Sequence, residues 1–312
     1  LIGIASSARI SADAGTPIRR ATVRASAREF RETRTALTDS AGRYEFKDLP
    51  AGRYSVEVSK AGFVTMSFGQ RYAFEAGRPV DVPAASLPDT INFSLPRGGV
   101  IAGRTMDEFG DAVADAMVSA SRYQFQRGRT RLQPLGRFSQ TNDLGQFRMY
   151  GLAPGDYIVT ATLRSREALG AEPQETTGYA PTYYPGTSSP GEAQRVRVAL
   201  GLEAATDFAL ISARLVRVSG LVVSSTGRPA TGGVIRLQDR EAGAGFRGGK
   251  NARIDQDGSF TLTGVAPGDY VLTAGLGGFR PGPDGAEDAE LVRLPVNVGS
   301  EDVKGLLLTT SK

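Results

Sequence analysis

The chain has 312 residues, 37 basic against 33 acidic side chains and a formal net charge of +4, with Gly at 39 positions and Pro at 17. It contains no His, no Cys and no Trp, which excludes Ser-His-Asp and Cys-His nucleophiles, imidazole or thiolate metal sites, disulfides and iron–sulfur clusters. The small charge, carried by 32 Arg and five Lys, supplies no clustered basic face for nucleic acid, and no apolar run approaches the ~20 residues of a membrane helix.

In chain order, the first feature is an apolar stub with strand character, Leu1 to Ile4. It starts on Leu rather than Met, as expected of a processed or trimmed product. Next come Gly15, Pro17, Ile18, Ala21 and Val23, spaced as G-x-P-I-x-x-A-x-V. The segment Thr38 to Ser55 follows, with Thr38, Asp39, Gly42, Tyr44, Phe46, Leu49, Gly52 and Tyr54 as its marked positions. Its side chains alternate: Tyr44, Phe46, Tyr54, Val56 and Val58 point one way, and Arg43, Glu45, Ser55 and Glu57 the other, the period of a half-buried strand. Asp39 to Gly42 reads as a tight turn and Leu49 to Gly52 as a short hairpin-like loop. Ile91, Phe93 and Leu95 then close the unit.

The same series returns twice. Gly110, Val113, Ala116 and Val118 open a second copy, Thr141 to Thr160 keeps Gly145, Phe147, Leu152, Gly155 and Tyr157, and Phe208 and Leu210 close it. Gly227, Pro229 and Ile235 open a third, which keeps Gly258, Phe260, Val265, Gly268 and Tyr270 and closes at Gly305 to Leu308. Units of about 100 residues are too long for solenoid repeats and suit whole small domains. Several short strands per unit, frequent turns and no helical periodicity predict an all-β sandwich in each.

The order G-x-P-[IV]-x-x-A-x-V, then T-D-x-x-G-x-[YF]-x-F-x-x-L-x-x-G-x-Y, resembles the carboxypeptidase regulatory-like domain. The resemblance implies three tandem seven-stranded transthyretin-like (Ig-like) β-sandwiches, at residues 1–97, 98–213 and 214–312, the second carrying two insertions. It implies a fold and not an activity, since such modules occur beside peptidases, in outer-membrane receptors and in surface and adhesive proteins. It extends to collagen-adhesin-type repeats, some of which carry a Lys–Asn isopeptide bond. The first strands here bear Arg19, Arg20 and Arg24 or no basic residue, so no such crosslink is expected.

The junctions Phe93 to Gly103 and Phe208 to Gly220 hold no Gly/Ser-rich flexible linker, which predicts a stiff, elongated rod on the order of 100 Å long. Leu1 aligns with Pro96 and Lys312 with Gly99, so the ends fall in phase with the repeat. Trimming at a domain boundary accounts for this. So does head-to-tail assembly, an open heterologous contact that builds a filament, made by adding a strand to a neighbour's sheet edge. Leu1, Ile2, Ile4, Leu306, Leu307 and Leu308 are the assembly candidates.

Both insertions of the second unit are candidate contact surfaces. Tyr123 to Arg137 includes Arg127, Arg129 and Arg131, which suit phosphate, uronic acid or an acidic neighbour, or else a solvated hairpin. Glu172 to Ala193 includes Tyr179, Tyr183 and Tyr184, which suit sugar stacking or partner docking, or else a loop folded over its own sandwich. Asp255 and Asp257 read as turn formers rather than calcium ligands, which need 6–8 oxygens. Asn92 begins a formal glycosylation sequon inside a predicted strand. Asp107 with Glu108, Glu287 with Asp288 and Glu301 with Asp302 read as solvated carboxylates, so no catalytic set emerges.

The expected function is non-enzymatic: an extracellular or cell-surface structural or adhesive protein, the subunit of a head-to-tail filament. No cofactor, metal or nucleic acid is expected, and the partners are copies of itself, with glycans or other surface proteins. The alternative is a glycan- or protein-binding accessory array of a larger peptidase or outer-membrane receptor, working through the three tyrosines with Arg127 to Arg131.

Overall fold

A computed structural model describes residues 2–4, 8–12, 15–27, 33–83, 91–126, 128–163, 177–230, 232–240, 249–275 and 291–311. Over them the chain is all-β, without a helix, and so no helix is long and apolar enough to cross a membrane.

The C-terminal repeat has the simplest pairing. One sheet runs Ser259–Val265, Val216–Val223, Val303–Thr309, and the other Lys250–Arg253, Val234–Asp239, Gly268–Gly275, Leu291–Val298. The middle repeat has Gln146–Leu152, Gly99–Met106 and Glu203–Ala205 in one sheet, and Arg129–Gln140, Met117–Gln126, Gly155–Thr162 and Thr182–Tyr183 in the other. At the N-terminus, Thr33–Leu37, Thr22–Ser26, Gly52–Ser59 and Met66–Ser67 form the larger sheet. In all three the opening strand lies parallel to the closing one: Ile10–Ala12 with Phe93–Leu95, Gly99–Met106 with Glu203–Ala205 and Phe208–Ala209, and Val216–Val223 with Val303–Thr309.

The alternation expected of these strands is present. Tyr44, Phe46, Tyr54, Val56 and Val58 are all buried, while Arg43, Glu45 and Ser55 are exposed. Together with Ile10, Val23 and Leu95 they make the N-terminal core, and Val218, Ile235, Phe260, Leu272 and Leu308 make the C-terminal one.

The repeated motif positions have specific mechanical roles. Gly42, Gly145 and Gly258 sit at φ +73°, +71° and +85°, a region that costs an L-residue ~1–2 kcal/mol. Each carbonyl accepts the opening strand's N–H: Ile10 at 2.9 Å, Thr105 at 2.9 Å and Val222 at 2.8 Å. A Cβ at any of them would press on that strand's backbone oxygen. The Thr before the turn links the two motifs. Thr38 donates to the Ile18 carbonyl and accepts from Ala21 N–H; Thr141 donates to the Val113 carbonyl and accepts from Ala116 N–H. The Tyr that ends the motif is a tyrosine corner: Tyr54 donates to the Pro50 carbonyl and Tyr270 to that of Ala266, each at 2.9 Å.

By packing, the chain divides into two compact units. One is Leu1–Ala102 with Arg148–Asp156 and Arg197–Ala205; the other is Gly103–Phe147, Tyr157–Val196 and Thr206–Lys312. The division after Ala102 falls at the end of the first expected junction, Phe93 to Gly103, and the second, Phe208 to Gly220, lies inside the second unit.

Candidate interaction surfaces

The first junction is sewn to the loop that follows Gly52–Ser59. Val64 N–H donates to the Pro96 carbonyl and Gly98 N–H to that of Gly62, each at 3.0 Å. The Arg97 guanidinium lies 5.5 Å from the centre of the Phe63 ring, a cation–π contact. Gly98 is pressed against the Gly151 backbone, leaving no room for a Cβ.

At the second junction the long insertion performs this work. Thr177–Tyr179 pairs antiparallel with the linker strand Ser212–Arg214. Ala180 N–H donates to the Ile211 carbonyl at 2.9 Å, and Ile211 N–H donates to the fully buried Thr182 hydroxyl at 3.0 Å. That hydroxyl donates in turn to the Ala180 carbonyl. The Leu215 side chain fills the space a Cβ at Gly178 would need. A linker bonded to a neighbouring strand over several residues has lost the freedom of a tether.

Beyond the clamp, the insertion covers the outer face of its own sheet. Tyr183 is wholly buried with Leu132 and Ile158, and Ala193 packs against the three. The Tyr184 ring meets Phe208 edge to face at 5.9 Å. Tyr123 donates to the Pro190 carbonyl at 3.1 Å, and Arg195 lies 5.9 Å from its ring centre, so the two insertions touch. The strand beneath, Gly155–Thr162, is consequently buried on both faces from Tyr157 to Ala161. Tyr179 stays at a rim and, like Tyr184, is half-buried. Burial raises its pKa, and the nearby carboxylates of Glu108 and Asp107 add to that.

The three tyrosines therefore form no common stacking surface: one is core, one packs on Phe208 and one borders the linker. Arg131, the described member of the Arg run, lies on the face away from Tyr183. Met117–Gln126 pairs with Arg129–Gln140 along its length, but with Gly155–Thr162 only as far as Ser121, so the rest projects as a two-stranded ribbon. Phe125 is exposed on it, as is Arg131, which strand alternation sends to the face opposite the buried Leu132. Arg127 and the Arg129 side chain lie outside the described residues.

At the N-terminus, Ile2–Ile4 is laid antiparallel on Phe46–Leu49 of its own chain; Leu1 and the side chains of Ile2 and Ile4 lie outside the described residues. At the other end, Val303–Thr309 pairs on one side with Val216–Val223 and forms the edge of its sheet among the described residues. Leu308 is core and Leu306 packs half-buried against it, so of the three leucines only Leu307, 61% exposed, faces outward. Its cross-strand neighbour is Leu221, also exposed.

The turn carboxylates serve the backbone. Asp39 accepts from the N–H groups of Ala41 and Arg43, the first of them lowering its pKa less than the second. Asn142 does the same for Leu144 and Gln146, and Asp257 accepts from Ser259. Asn92 accepts from Arg9 N–H at 2.8 Å, tying the closing segment to the opening one. Glu287 and Asp288 lie outside the described residues.

No curated protein matches the sequence. Among solved structures, the TIE protein of Bacillus anthracis is 13% identical with a TM-score of 0.25; all of this chain aligns, to 51% of that one. The minor pilin of Streptococcus agalactiae is 12% identical with a TM-score of 0.31, over 68% of this chain and 96% of its own. The major pilin subunit of Bacillus cereus is 9% identical with a TM-score of 0.25, over 99% of both chains. The sequence profile of the carboxypeptidase regulatory-like domain matches residues 7–95 and 217–289, the N- and C-terminal repeats. That match spans just over half the chain and falls on the two repeats whose glycine turns, at Gly42 and Gly258, and tyrosine corners, at Tyr54 and Tyr270, are described above: the chain belongs to the carboxypeptidase regulatory-like domain family.

Proposed function

We propose that the chain is a non-enzymatic structural subunit of an extracellular or cell-surface filament, built from three sandwiches at residues 1–97, 98–213 and 214–312. The observation that carries this reading is the way the linkers are bonded. Both are tied down by hydrogen bonds and close Gly contacts, and residues 177–182 of one insertion clamp the second of them. Such construction serves a part that transmits load and has no evident use in a tethered accessory module.

Head-to-tail contact is made at the outer edge of Val303–Thr309, where backbone groups at a sheet edge can accept a further strand. Leu307 and Leu221 supply the apolar surface beside it. Burying a side chain exposed like Leu307 contributes about 1–2 kcal/mol per contact. The N-terminal stub already serves its own sheet, so joining through it exchanges the Phe46–Leu49 pairing for the same pairing with a neighbour.

Negative-stain microscopy of the purified chain at rising concentration tests the proposal. Linear oligomers that lengthen with concentration are expected. Single particles at every concentration would rule it out.

A further inference from the structure

The ribbon that projects from the middle repeat has an open edge. Arg129–Gln140 is the outermost strand of its sheet among the described residues. At 12 residues it is more than twice as long as its counterparts Thr33–Leu37 and Lys250–Arg253. Proteins usually keep such edges short, because their unpaired N–H and C=O groups accept a further strand. Pro134, which has no N–H, and Gly136, at φ +68°, interrupt the edge next to the sandwich. Residues 129–133 remain as a regular stretch, paired on the inner side one for one with residues 122–126.

The two faces of this stretch differ in chemistry. Arg131 shares one face with its cross-strand partner Gln124, while Leu132 shares the other with Tyr123. Phe125, 75% exposed, extends the apolar face toward the tip. Arg131 is exposed and has no ion-pair partner among the described residues.

The charge is one-sided. Residues 117–140 hold five Arg and no acidic side chain; taking those five from 37 leaves 32 basic against 33 acidic side chains elsewhere. A concentrated positive segment in an otherwise neutral chain selects an anionic partner. Val303–Thr309, the edge assigned above to assembly, carries Lys304 and no acid, so a second copy meeting the ribbon through it supplies no complement.

We propose that the outer edge of residues 129–133 takes up an extended acidic peptide segment of another protein as an added strand, its acidic side chains beside Arg131 alternating with apolar ones beside Thr130 and Leu132. The proposal does not rest on filament assembly.

Fluorescence anisotropy of the full chain with three short labelled peptides tests it: Glu and Val alternating, Lys and Val alternating, and the first composition with its Glu residues in one block. Saturable binding of the alternating Glu peptide is expected, with the other two at least about tenfold weaker. Arg131→Glu should weaken it about tenfold or more, since attraction becomes repulsion. Arg131→Lys should keep it within a few-fold, which separates lost charge from a damaged ribbon. Hydrogen exchange should show alternate amides of residues 129–133 protected by the bound peptide, as an added strand requires. Absence of saturable binding, equal binding of the Lys or block peptide, indifference to Arg131→Glu, or binding without added protection of those amides would overturn the proposal.

Discussion

Replacing Gly145 by Ala isolates the role of the repeated turn glycine. Two costs are expected. The first is conformational, because φ is +71° and an L-residue there loses ~1–2 kcal/mol. The second is steric. The new Cβ would press on the Thr105 carbonyl oxygen and lie 3.2 Å from Val113 N, so the opening strand must retreat. Thr105 is fully buried and its N–H donates to the Gly145 carbonyl at 2.9 Å; weakening that bond costs a further ~1–3 kcal/mol. Gly110 is the control, since it has φ +89° but nothing within 4 Å of its notional Cβ, and Gly110→Ala should show only the conformational cost. Urea unfolding followed by tyrosine fluorescence, at an m-value of ~1–3 kcal/mol/M, should place the Gly145→Ala midpoint at least about 0.5 M below that of Gly110→Ala. Equal midpoints, or a milder effect at Gly145, would refute the reasoning that the turn is packed on the opening strand.

Three further outcomes follow from the same geometry. Thr182→Val removes the acceptor of Ile211 N–H at a cost of ~1–3 kcal/mol, so proteolysis within residues 211–215 should accelerate about tenfold while secondary structure is retained. Burial of Tyr270, with a smaller push from Asp239, raises its pKa to about 12. The folded state therefore holds its proton between pH ~10 and ~12 while the unfolded state releases it. Stability contributed by the neutral phenol is complete below pH ~10 and falls as pH rises through that window; Tyr270→Phe should flatten that part of an alkaline denaturation curve while lowering stability at neutral pH by ~1 kcal/mol through loss of the bond to Ala266. Leu307→Lys should leave thermal stability nearly unchanged, because the side chain is largely exposed, while shifting oligomer formation to about tenfold higher concentration in sedimentation velocity.

Much of this was legible in the residues. Alternation from Tyr44 to Val58 identified the buried face because one side of those strands meets water. The turns at Asp39, Asn142 and Asp255 announced themselves by composition, but the packing of their glycines on the opening strand did not, since φ and close approach share one signature. The linkers showed no Gly/Ser-rich stretch, and they carry local hydrogen bonds. The clamp on the second escaped notice because Thr177–Tyr179 is a three-residue strand with a glycine at its centre, too short to show a period. Tyr183 left two readings open for a related reason. Ile158 to Ala161 is buried on both faces, so alternation is erased, and nothing local distinguishes an aromatic roof over a sheet from an exposed stacking platform. The closing leucines could have been divided: a period of two puts Leu306 and Leu308 inside and Leu307 outside, as observed.

Hydrogen exchange of the Val303–Thr309 amides, compared between dilute and concentrated protein, bears most directly on filament formation through that edge. Protection of alternate amides along this strand should rise with concentration and vanish in Leu307→Lys. Oligomers that form while those amides exchange at the dilute rate would contradict joining by strand addition there.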